Sequence, residues 1–557
     1  MIESGQTRQL GRGQTALLVA VVVVAYAAGF LVLPDGTFAL STAFVATTGV
    51  GLLGSYHAFG DGVVPMRSHI GLLRWFLLGL TIVTGLAVVA VETGRLDLEA
   101  VGFAAFVVVP GSYLVSLVAR TVRRRATPPS YAVPLWLGGT MLLFGATAAV
   151  GRYVVDLSPF ELVLLGGLEV MAFYVGFIVP VGIWEIMTDS DPPDATEPYP
   201  EVSVAIPAYN EEAWIGKCLD SVLASNYPAE KLEVIVVDDG SEDATYERAS
   251  EYRDRGVRVV QRPNGGRDAA LNYGFFCSNG DVFVMVDADS LLAPDALSKI
   301  VGALQADPDL GAVAGDIRVL NTDRLITKIQ AIEYVFSINT FRRACSFFNA
   351  VPIAPGALSG FRREALEAVG GFDPDTLTED FDTTVQILEH DWTVRQVSAI
   401  SYTEAPFTLR DLYTQRIRWY TGGLQCILKH VNVFAGSRSS YLHRFTFPFL
   451  SLSYVFRPIV GLAATGIIVY GLLTSQAVLT LVGFGYFVAV VGVVAAITLY
   501  MLNVSFRILP WYVFLMVGYK QFIDVVFLRS IVKVVTGAEV EWGTIRRQAE
   551  VDWSSRR

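Results

Sequence analysis

Two aspartates separated by one residue, Asp287 and Asp289, end an apolar stretch near the middle of the chain, DVFVMVDADS. In an extended segment, residues i and i+2 point to the same face. Two carboxylates on one face can bind one hard divalent cation, which keeps water ligands and bridges phosphate oxygens. A second acidic pair, Asp238 and Asp239, follows another apolar stretch in LEVIVVDDGSEDAT. Together the pairs predict a site for a phosphorylated ligand, in preference to two helix caps, the simpler role of acids at such positions.

The segment LTEDFDTT adds two more carboxylates, Glu379 and Asp380. A carboxylate within hydrogen-bond reach of a sugar hydroxyl can remove its proton and so act as a general base. The same segment is also typical of a helix start, with Thr378 as the cap. The two roles are compatible, so Glu379 and Asp380 are both candidates for a catalytic base.

The elements that carry these residues alternate between strands and helices. VSVAIPAYNEE (202–212) is predicted to be a buried strand that runs into a loop, and a helix of about 213–225 follows. The two acidic stretches repeat this pattern, which predicts an α/β domain with a mostly parallel sheet covered on both faces. In such sheets the ligand lies beyond the carboxyl ends of the strands. Tyr209 and both acidic pairs fall at those ends.

Long apolar blocks lie on both sides of this domain. The chain of 557 residues is 53% hydrophobic, its mean hydropathy is +0.47, and about 20 apolar residues suffice to cross a bilayer. Pro448, Arg457 and Pro458 interrupt the first block after the domain, so the number of C-terminal crossings stays open. We predict an N-terminal transmembrane region of about six helices over 1–187, a cytoplasmic domain over 188–435, C-terminal interfacial and transmembrane helices over 436–535, and a cytoplasmic tail over 536–557.

Charged residues indicate the orientation and the class of partner. Arg8 and Arg12 precede the first apolar block, and the arginines within 120–125 lie between the fourth and the fifth. Basic residues concentrate in cytoplasmic loops, so we expect a multi-pass protein of the cell membrane with its N-terminus and its polar domain in the cytoplasm. The net charge of −11 disfavours nucleic acid as a partner.

Six motifs occur in one order along the chain: PAYNEE, DDGSEDAT, NGGRDAALNYG, DAD, TED and QRIRW. In this order and spacing they resemble the motifs of family 2 inverting glycosyltransferases, over about 200–430. More narrowly, they look like the membrane-embedded processive synthases of cellulose, chitin, hyaluronan and poly-N-acetylglucosamine. The resemblance implies a GT-A fold placed between two helical transmembrane regions.

The resemblance also implies roles for single residues, with one departure: Arg267 stands where the family often has lysine. The implied UDP-sugar contacts are Pro207, Tyr209, Glu212, Asp239, Arg267 and Asp287. The other implied roles are Mg²⁺ or Mn²⁺ binding by Asp289 with Asp287, base catalysis by Asp380 beside Glu379, diphosphate contacts by Gln415, Arg416 and Arg418, and an acceptor-sugar contact by Trp419.

The QRIRW segment has residue types that suit these roles. Guanidinium groups can bind a leaving diphosphate through paired hydrogen bonds, where charge develops in the transition state. The indole of Trp419 offers a flat apolar face to a sugar ring. The alternative for Trp419 is an anchor at the membrane interface.

The implied reaction is one in-line displacement, in which the acceptor hydroxyl attacks the anomeric carbon, UDP leaves, and the linkage is inverted. UDP-GlcNAc is the first candidate for the donor and UDP-glucose the second. The predicted acceptor is the non-reducing end of a growing β-linked polysaccharide, which the protein would also export through the bilayer. A single transfer to a lipid or lipid-phosphate acceptor is the main alternative. A transporter or scaffold with an inactive domain is disfavoured because all the expected acids are present.

Overall fold

The structure, a computed structural model, describes only part of the chain: residues 178–188, 192–435, 441–475 and 477–538. Contacts group 192–454 with 495–538 in one compact unit, and 178–188 with 455–494 in a second. Of the six helices predicted over 1–187, all but the end of the last lie outside the described residues.

Eight strands form one mixed sheet in the first unit, in the order β3-β2-β1-β4-β7-β6-β8-β5. Strand β1 pairs in parallel with β2 and β4, and β2 pairs in parallel with β3. Strand β7 runs antiparallel to β4 and β6, and β5 antiparallel to β8, while β6 and β8 are parallel. The predicted parallel arrangement therefore holds for β1 to β4, and the sheet as a whole is mixed. The strands are β1 (Val202–Ala208), β2 (Leu232–Asp238), β3 (Val257–Gln261), β4 (Val282–Met285), β5 (Ser290–Leu292), β6 (Leu310–Val319), β7 (Ser359–Arg362) and β8 (Thr393–Thr403).

The described helices include eight short ones between β1 and β8, and mostly longer ones near the C-terminus. They are α1 (Val179–Thr188), α2 (Ile215–Leu223), α3 (Thr245–Ser250), α4 (Arg267–Cys277), α5 (Ala296–Ala306), α6 (Leu325–Ile332), α7 (Thr340–Phe347), α8 (Arg363–Val369), α9 (Glu379–Glu389), α10 (Leu409–Lys429), α11 (Phe447–Leu473), α12 (Ala477–Met501), α13 (Tyr512–Phe514) and α14 (Lys520–Thr536). Single turns of 3₁₀ or π geometry lie at Ala229–Lys231, Arg253–Arg255, Glu333–Asn339, Val431–Ala435, Leu442–Thr446, Phe506–Trp511 and Leu515–Tyr519.

The centre of the sheet is apolar because its strands are built from Val, Ile and Ala. All seven residues of β1 and all four of β4 are buried, as expected for parallel strands covered on both faces. Helix α4 packs on β1 and β2: Ala270 joins Ile235 and Val237 in one buried cluster. At Gly274 a Cβ would lie 3.2 Å from the Cβ of Ala205. This close packing fixes the start of α4, which lies beside the carboxyl ends of these strands.

Three apolar blocks follow the domain, at about 445–473, 476–503 and 506–528, and helices cover most of each. Helix α11 is continuous through Pro458, a residue that we expected to interrupt it. The third block instead contains the break, since Val517 and Gly518 have non-helical backbone angles just before α14. Among the described residues, Phe447–Leu473 and Phe506–Thr536 are long and apolar enough to cross a bilayer. The count of crossings and their orientation stay predictions.

Candidate active site

The parallel half of the sheet brings the predicted acidic motifs to one edge. Ala208, the last residue of β1, pairs with Asp238 of β2, and Ala205 pairs with Met285 of β4. The segments that follow β1, β2 and β4 therefore leave the sheet side by side. Pro207 lies buried within β1, opposite Val237. The next residues, from Tyr209 onwards, begin the loop at this edge.

The PAYNEE and DDGS loops are joined by hydrogen bonds. Asn210 has a φ of 55°, and its backbone N–H donates to the hydroxyl of Ser241 at 3.0 Å. The backbone N–H of Glu242 donates to the Asn210 side chain at 2.8 Å. Glu212 accepts a bond from the N–H of Ala244 at 3.1 Å, so it supports the loop from its exposed side. The Tyr209 ring, 38% exposed, is left at the rim of the edge.

Asp239 stabilises the glycine-rich loop that leads into α4. Its carboxylate accepts bonds from the backbone N–H groups of Gly265 and Gly266, and from Arg262 at 2.7 Å. Gly266 has a φ of +96°, which favours glycine. Burial raises the pKa of Asp239 above its ordinary value, although these N–H donors and Arg262 act in the opposite direction. Asp239 thus holds the loop whose next residue is Arg267.

Arg267 connects two of the predicted motifs. Its Nε and Nη2 donate to one oxygen of Asp287, at 3.1 and 2.5 Å, and its Nη1 forms an ion pair with Glu379. The second carboxylate oxygen of Asp287 has no hydrogen-bond partner among the described residues, and the side chain is 32% exposed. That oxygen is free for a ligand. The structure therefore brings DAD, TED and the start of α4 together.

Asp289 is the more buried member of the DAD pair, with 6% of its surface exposed. Burial raises the pKa of the Cys218 thiol, and Asp289 and Asp287 add to the effect, so this cysteine is a neutral thiol rather than a nucleophile. A divalent cation fits this donor set, because hard cations prefer carboxylate oxygens and Asp287 offers an unengaged one. Asp287 and Asp289 are the residues that would bind it.

Asp380 lies in the first turn of α9, next to Glu379. Its carboxylate accepts bonds from the N–H of Phe381 at 2.8 Å and from the N–H of Gly356 at 3.3 Å. Burial raises the pKa of Asp380 above its ordinary value, and the Asp287 carboxylate acts in the same direction, while the Arg267 and Arg418 guanidiniums oppose the shift. A raised pKa makes a carboxylate a stronger base. Asp380 is thus chemically suited to remove a proton.

The QRIRW residues do not all face the acidic cluster. Arg418 interacts electrostatically with Asp380, whereas Arg416 is buried in an ion pair with Glu333, at 2.6 Å, and its guanidinium lies 4.2 Å from the centre of the Trp419 ring. On a helix, residues two apart point in nearly opposite directions, which explains the separation. The expected diphosphate contact of Arg416 therefore does not correspond to its contacts here, which support Trp419.

Gln415 is buried, and its side-chain oxygen has no hydrogen-bond partner among the described residues. Such atoms are rare in native structures and call for an explanation; a bound ligand is one. The Trp419 ring is partly exposed and lies 6.4 Å from that of Tyr334, centre to centre. One side of the indole is thus fixed by protein groups.

Sequence reasoning missed three residues of this region: Glu333, Tyr334 and Gly356. Glu333 and Tyr334 lie in a π-helical turn, a geometry that is frequent at functional sites. The sequence feature that could have identified them is an acid, Glu333, inside the mostly apolar segment ITKIQAIEYVF. Gly356 had no signal beyond being a glycine, because its role depends on a contact with Arg267, which lies far away in sequence.

We predict that Gly356→Ala weakens UDP binding about tenfold. A Cβ at this position would overlap the Arg267 guanidinium, so Arg267 has to leave Asp287 and Glu379, and charged hydrogen bonds are worth about 1.5–3 kcal/mol each. Overpacking should cost about 1–3 kcal/mol of folding free energy. UDP titration calorimetry measures the first effect and denaturant unfolding the second. Gly466→Ala, where a Cβ meets open space, is the control; equal UDP affinity in both variants would contradict the role of Arg267.

Comparison with known proteins agrees with the motifs. Residues 203–370 match the sequence model of the family described as "Glycosyl transferase family 2". A probable glycosyltransferase, YdaM of Bacillus subtilis, is 34% identical over 244 residues, which are 42% of this chain and 58% of that protein. The poly-beta-1,6-N-acetyl-D-glucosamine synthase of Staphylococcus epidermidis is 31% identical over 231 residues, 41% of this chain and 56% of the synthase. The chain thus spans somewhat more than half the length of these relatives.

Among solved structures, a mannosyltransferase of Pyrobaculum calidifontis in complex with GDP-mannose and Mn²⁺ aligns with 68% of this chain and all of its own, at 23% identity and a TM-score of 0.49. The 1–349 fragment of TarS from S. aureus, in complex with UDP-GlcNAc, aligns at 17% identity and a TM-score of 0.36 over 60% of this chain and 92% of the fragment. Scores at this level do not distinguish donors or acceptors. Residues 203–370, which match the family 2 glycosyltransferase model, carry most of strands β1 to β7 of the mixed α/β sheet.

Proposed function

We propose that the protein is an inverting glycosyltransferase that adds sugars from a UDP-sugar, UDP-GlcNAc in the first instance, to the non-reducing end of a growing β-linked polysaccharide. One observation carries the proposal: Asp287, Arg267, Glu379 and Asp380 meet at the edge where the parallel strands end. Glycosyl transfer from a UDP-sugar needs acids that bind a divalent cation, a positively charged group for the diphosphate, and a base, and this one edge supplies all three.

The donor binds along the first strand ends. Tyr209 at the rim offers a ring to the uracil, and Asp239 and Glu212 hold the loops that surround it, with Pro207 beneath. In this proposal Arg267 contacts the diphosphate and Asp287 contacts the ribose. A divalent cation, Mg²⁺ or Mn²⁺, bound by Asp287 and Asp289 would neutralise charge on the leaving diphosphate.

The acceptor side is formed by α9 and α10. Asp380 removes the proton of the acceptor hydroxyl, whose oxygen then forms a bond to the anomeric carbon as the bond to UDP breaks. One such displacement converts an α-linked donor into a β-linkage. Arg418 stabilises the charge of the departing diphosphate, Gln415 contacts the same diphosphate, and Trp419 contacts the acceptor sugar.

The position of α10 supports a role at the membrane. Tyr420, directly after QRIRW, stacks on Phe527 of α14 with ring centres 3.7 Å apart, and α14 belongs to a segment long and apolar enough to cross a bilayer. An acceptor site on α10 would therefore lie close to the place where a polymer would enter the bilayer. We therefore propose a multi-pass protein of the cell membrane, with a cytoplasmic catalytic domain and polymer export.

The choice of UDP-GlcNAc and of polymerisation rests on the relatives named above, so both need a direct test. Purified protein in nanodiscs is supplied with Mg²⁺ or Mn²⁺ and a panel of radiolabelled UDP-sugars, and UDP release and product length are measured together. We expect UDP release with UDP-GlcNAc and a product of many sugars. A product of one added sugar on a lipid would favour the single-transfer alternative, and no UDP release with any donor would overturn the proposal.

Trp419→Ala should reduce elongation about five- to tenfold without impairing donor hydrolysis. The indole is a stacking platform worth on the order of 1 kcal/mol or more to the acceptor sugar, and water as acceptor needs no such platform. Arg418→Ala should depress both reactions, because it removes charge stabilisation of the diphosphate. Product length and UDP release are compared in the two variants. Intact elongation with reduced membrane yield in Trp419→Ala would make the ring a membrane anchor.

A further inference from the structure

A buried group of charges connects α9 to the end of α10. His430, the residue after α10, lies between two acids of α9: its Nε2 is 2.5 Å from Asp382 and its Nδ1 is 2.7 Å from Glu389. Lys429 donates to the other oxygen of Asp382 at 2.8 Å. Asp382 is completely buried and His430 is 7% exposed. None of these residues has a role in the reaction proposed above.

The hydrogen bonds fix the charge of His430. A carboxylate can only accept, and a neutral imidazole can donate from only one nitrogen. Since both ring nitrogens face carboxylates, both must carry a proton, and His430 is an imidazolium. Asp382 and Glu389 are seven residues apart, about two helical turns, and so lie on one face of α9. The imidazole ring bridges these two positions through its two nitrogens.

The same cluster does not suit a metal ion, although Cys426 lies beside Asp382 and His430. Two ligands of a tetrahedral ion with bonds of roughly 2 Å lie about 3.3 Å apart, whereas His430 and Asp382 are at hydrogen-bond distance. Both oxygens of Asp382 are already engaged by cationic groups.

Two contacts of the residues just before α9, and one electrostatic interaction of its first turn, also position α9 against α10. The N–H of Leu377 donates to Gln425 at 3.2 Å. At Gly422 a Cβ would lie 2.7 Å from the Thr378 side chain, so only glycine allows this approach. Arg418 lies about three turns before Lys429 on α10, on the same face, and it interacts with Asp380. The register at the Lys429 end therefore sets the register at the Arg418 end.

We propose that His430, through its imidazolium bridge to Asp382 and Glu389, is a positioning residue that fixes the Asp380 helix against the helix of Arg418, so that base and diphosphate ligand meet in one geometry. The inference rests on the proposed transferase function of the site. It predicts that the rate of transfer depends on the charge of a residue that touches neither substrate.

The pH dependence follows from the groups around the ring, which are Asp382, Glu389, Cys426, Lys429, and Asp373 and Asp375 beyond Lys429. Burial lowers the pKa of His430, but the bonds to Asp382 and Glu389 outweigh it and raise that pKa to about 9. The folded pKa exceeds the unfolded one of about 6.5. The stabilisation is thus fully present below pH 6.5 or so and is lost as the pH rises through about 9.

The first experiment needs no substrate. The full-length protein in nanodiscs, labelled with ¹³C at histidine Cε1, is titrated by NMR, and His430→Gln assigns the signal. We expect a midpoint near pH 9 for His430 and a lower midpoint in Glu389→Gln, which removes one carboxylate while leaving Asp382. A midpoint near or below pH 6.5 would overturn the imidazolium. So would stoichiometric zinc that is lost in Cys426→Ser.

The second experiment measures UDP-sugar turnover of wild type, His430→Gln and the control His390→Gln, an exposed histidine at the end of the same helix. At pH 7 we expect kcat of His430→Gln to fall about tenfold, as for a modest misplacement of reacting groups, with donor KM unchanged. The ratio of wild-type to His430→Gln activity should approach one at pH 10, where both lack the charge. A ratio that is constant from pH 7 to 10, or a KM effect alone, would refute the positioning role. No turnover by the wild type would instead count against the proposed function and leave the NMR result standing.

Discussion

Replacing Asp380 by Asn is expected to lower sugar transfer by about 10²–10⁴-fold, the usual contribution of a general base, while UDP affinity changes little. The base acts on the acceptor, whereas the proposed nucleotide contacts lie at the ends of β1 and β2. The amide is nearly isosteric but cannot take a proton. Its single oxygen can accept from only one of the two N–H groups, of Phe381 and Gly356, that the carboxylate serves. Folding should therefore lose about 1–3 kcal/mol.

UDP release and UDP titration calorimetry on the same preparation separate the two effects. Glu367→Gln is a matched control, since Glu367 is an acid whose side chain is 57% exposed and which pairs with Arg363 on its own helix. Wild-type transfer should also fall as the pH decreases through the pKa of Asp380, which burial places above the ordinary value. If Asp380→Asn lost UDP affinity as severely as activity, Asp380 would be a binding residue and the base would have to be sought elsewhere.

The second large effect is expected from Asp289→Asn, which should reduce transfer on the order of 10³-fold. A bound cation stabilises charge on a transferring phosphate by several kcal/mol, and an amide oxygen is a weaker ligand than a carboxylate. Because Asp289 is almost fully buried, no exposed acid nearby can take its place as the second metal ligand beside Asp287. High Mn²⁺ should restore only part of the rate.

Activity against Mn²⁺ concentration and Mn²⁺ binding by electron paramagnetic resonance give the two readouts. Asp295→Asn serves as the control, because Asp295 pairs with Lys299 at 2.8 Å on the helix that follows. Full wild-type activity in EDTA would show that the DAD carboxylates do not act through a metal, and the metal assignment would have to be withdrawn.

Much of the parallel half of the sheet was predictable because short stretches of sequence specify each strand and the residues that follow it. β1, β2 and β4 are short, mostly apolar runs that are followed directly by Tyr209, Asp239 and Val286-Asp287, and parallel pairing places the ends of such strands together. The antiparallel half was not predictable, because β5 has only three residues and β7 only four. Segments this short are assigned by their partners across the sheet, which a local pattern does not specify.

Residue types were easier to predict than side-chain directions. The QRIRW motif identified Arg416 and Arg418 alike as diphosphate ligands, yet α10 sends them to different surroundings. Knowing that the motif is helical would have separated them, since neighbours two apart do not share a face. The destination of Arg416 depends on Glu333, whose place in a π-helical turn is a tertiary property. The contact of Gly356 with Arg267 likewise depends on the packing of distant segments.

The central claim is that this site performs one inverting displacement from a UDP-sugar. The most direct test is the anomeric configuration of the first product, observed by proton NMR while purified protein in nanodiscs converts ¹³C-labelled UDP-GlcNAc in the presence of Mn²⁺. The account predicts that the β-linked sugar appears first, at the rate of UDP release, and that Asp380→Asn abolishes both signals. An α-linked first product, or UDP release with no transferred sugar in the wild type, would contradict it.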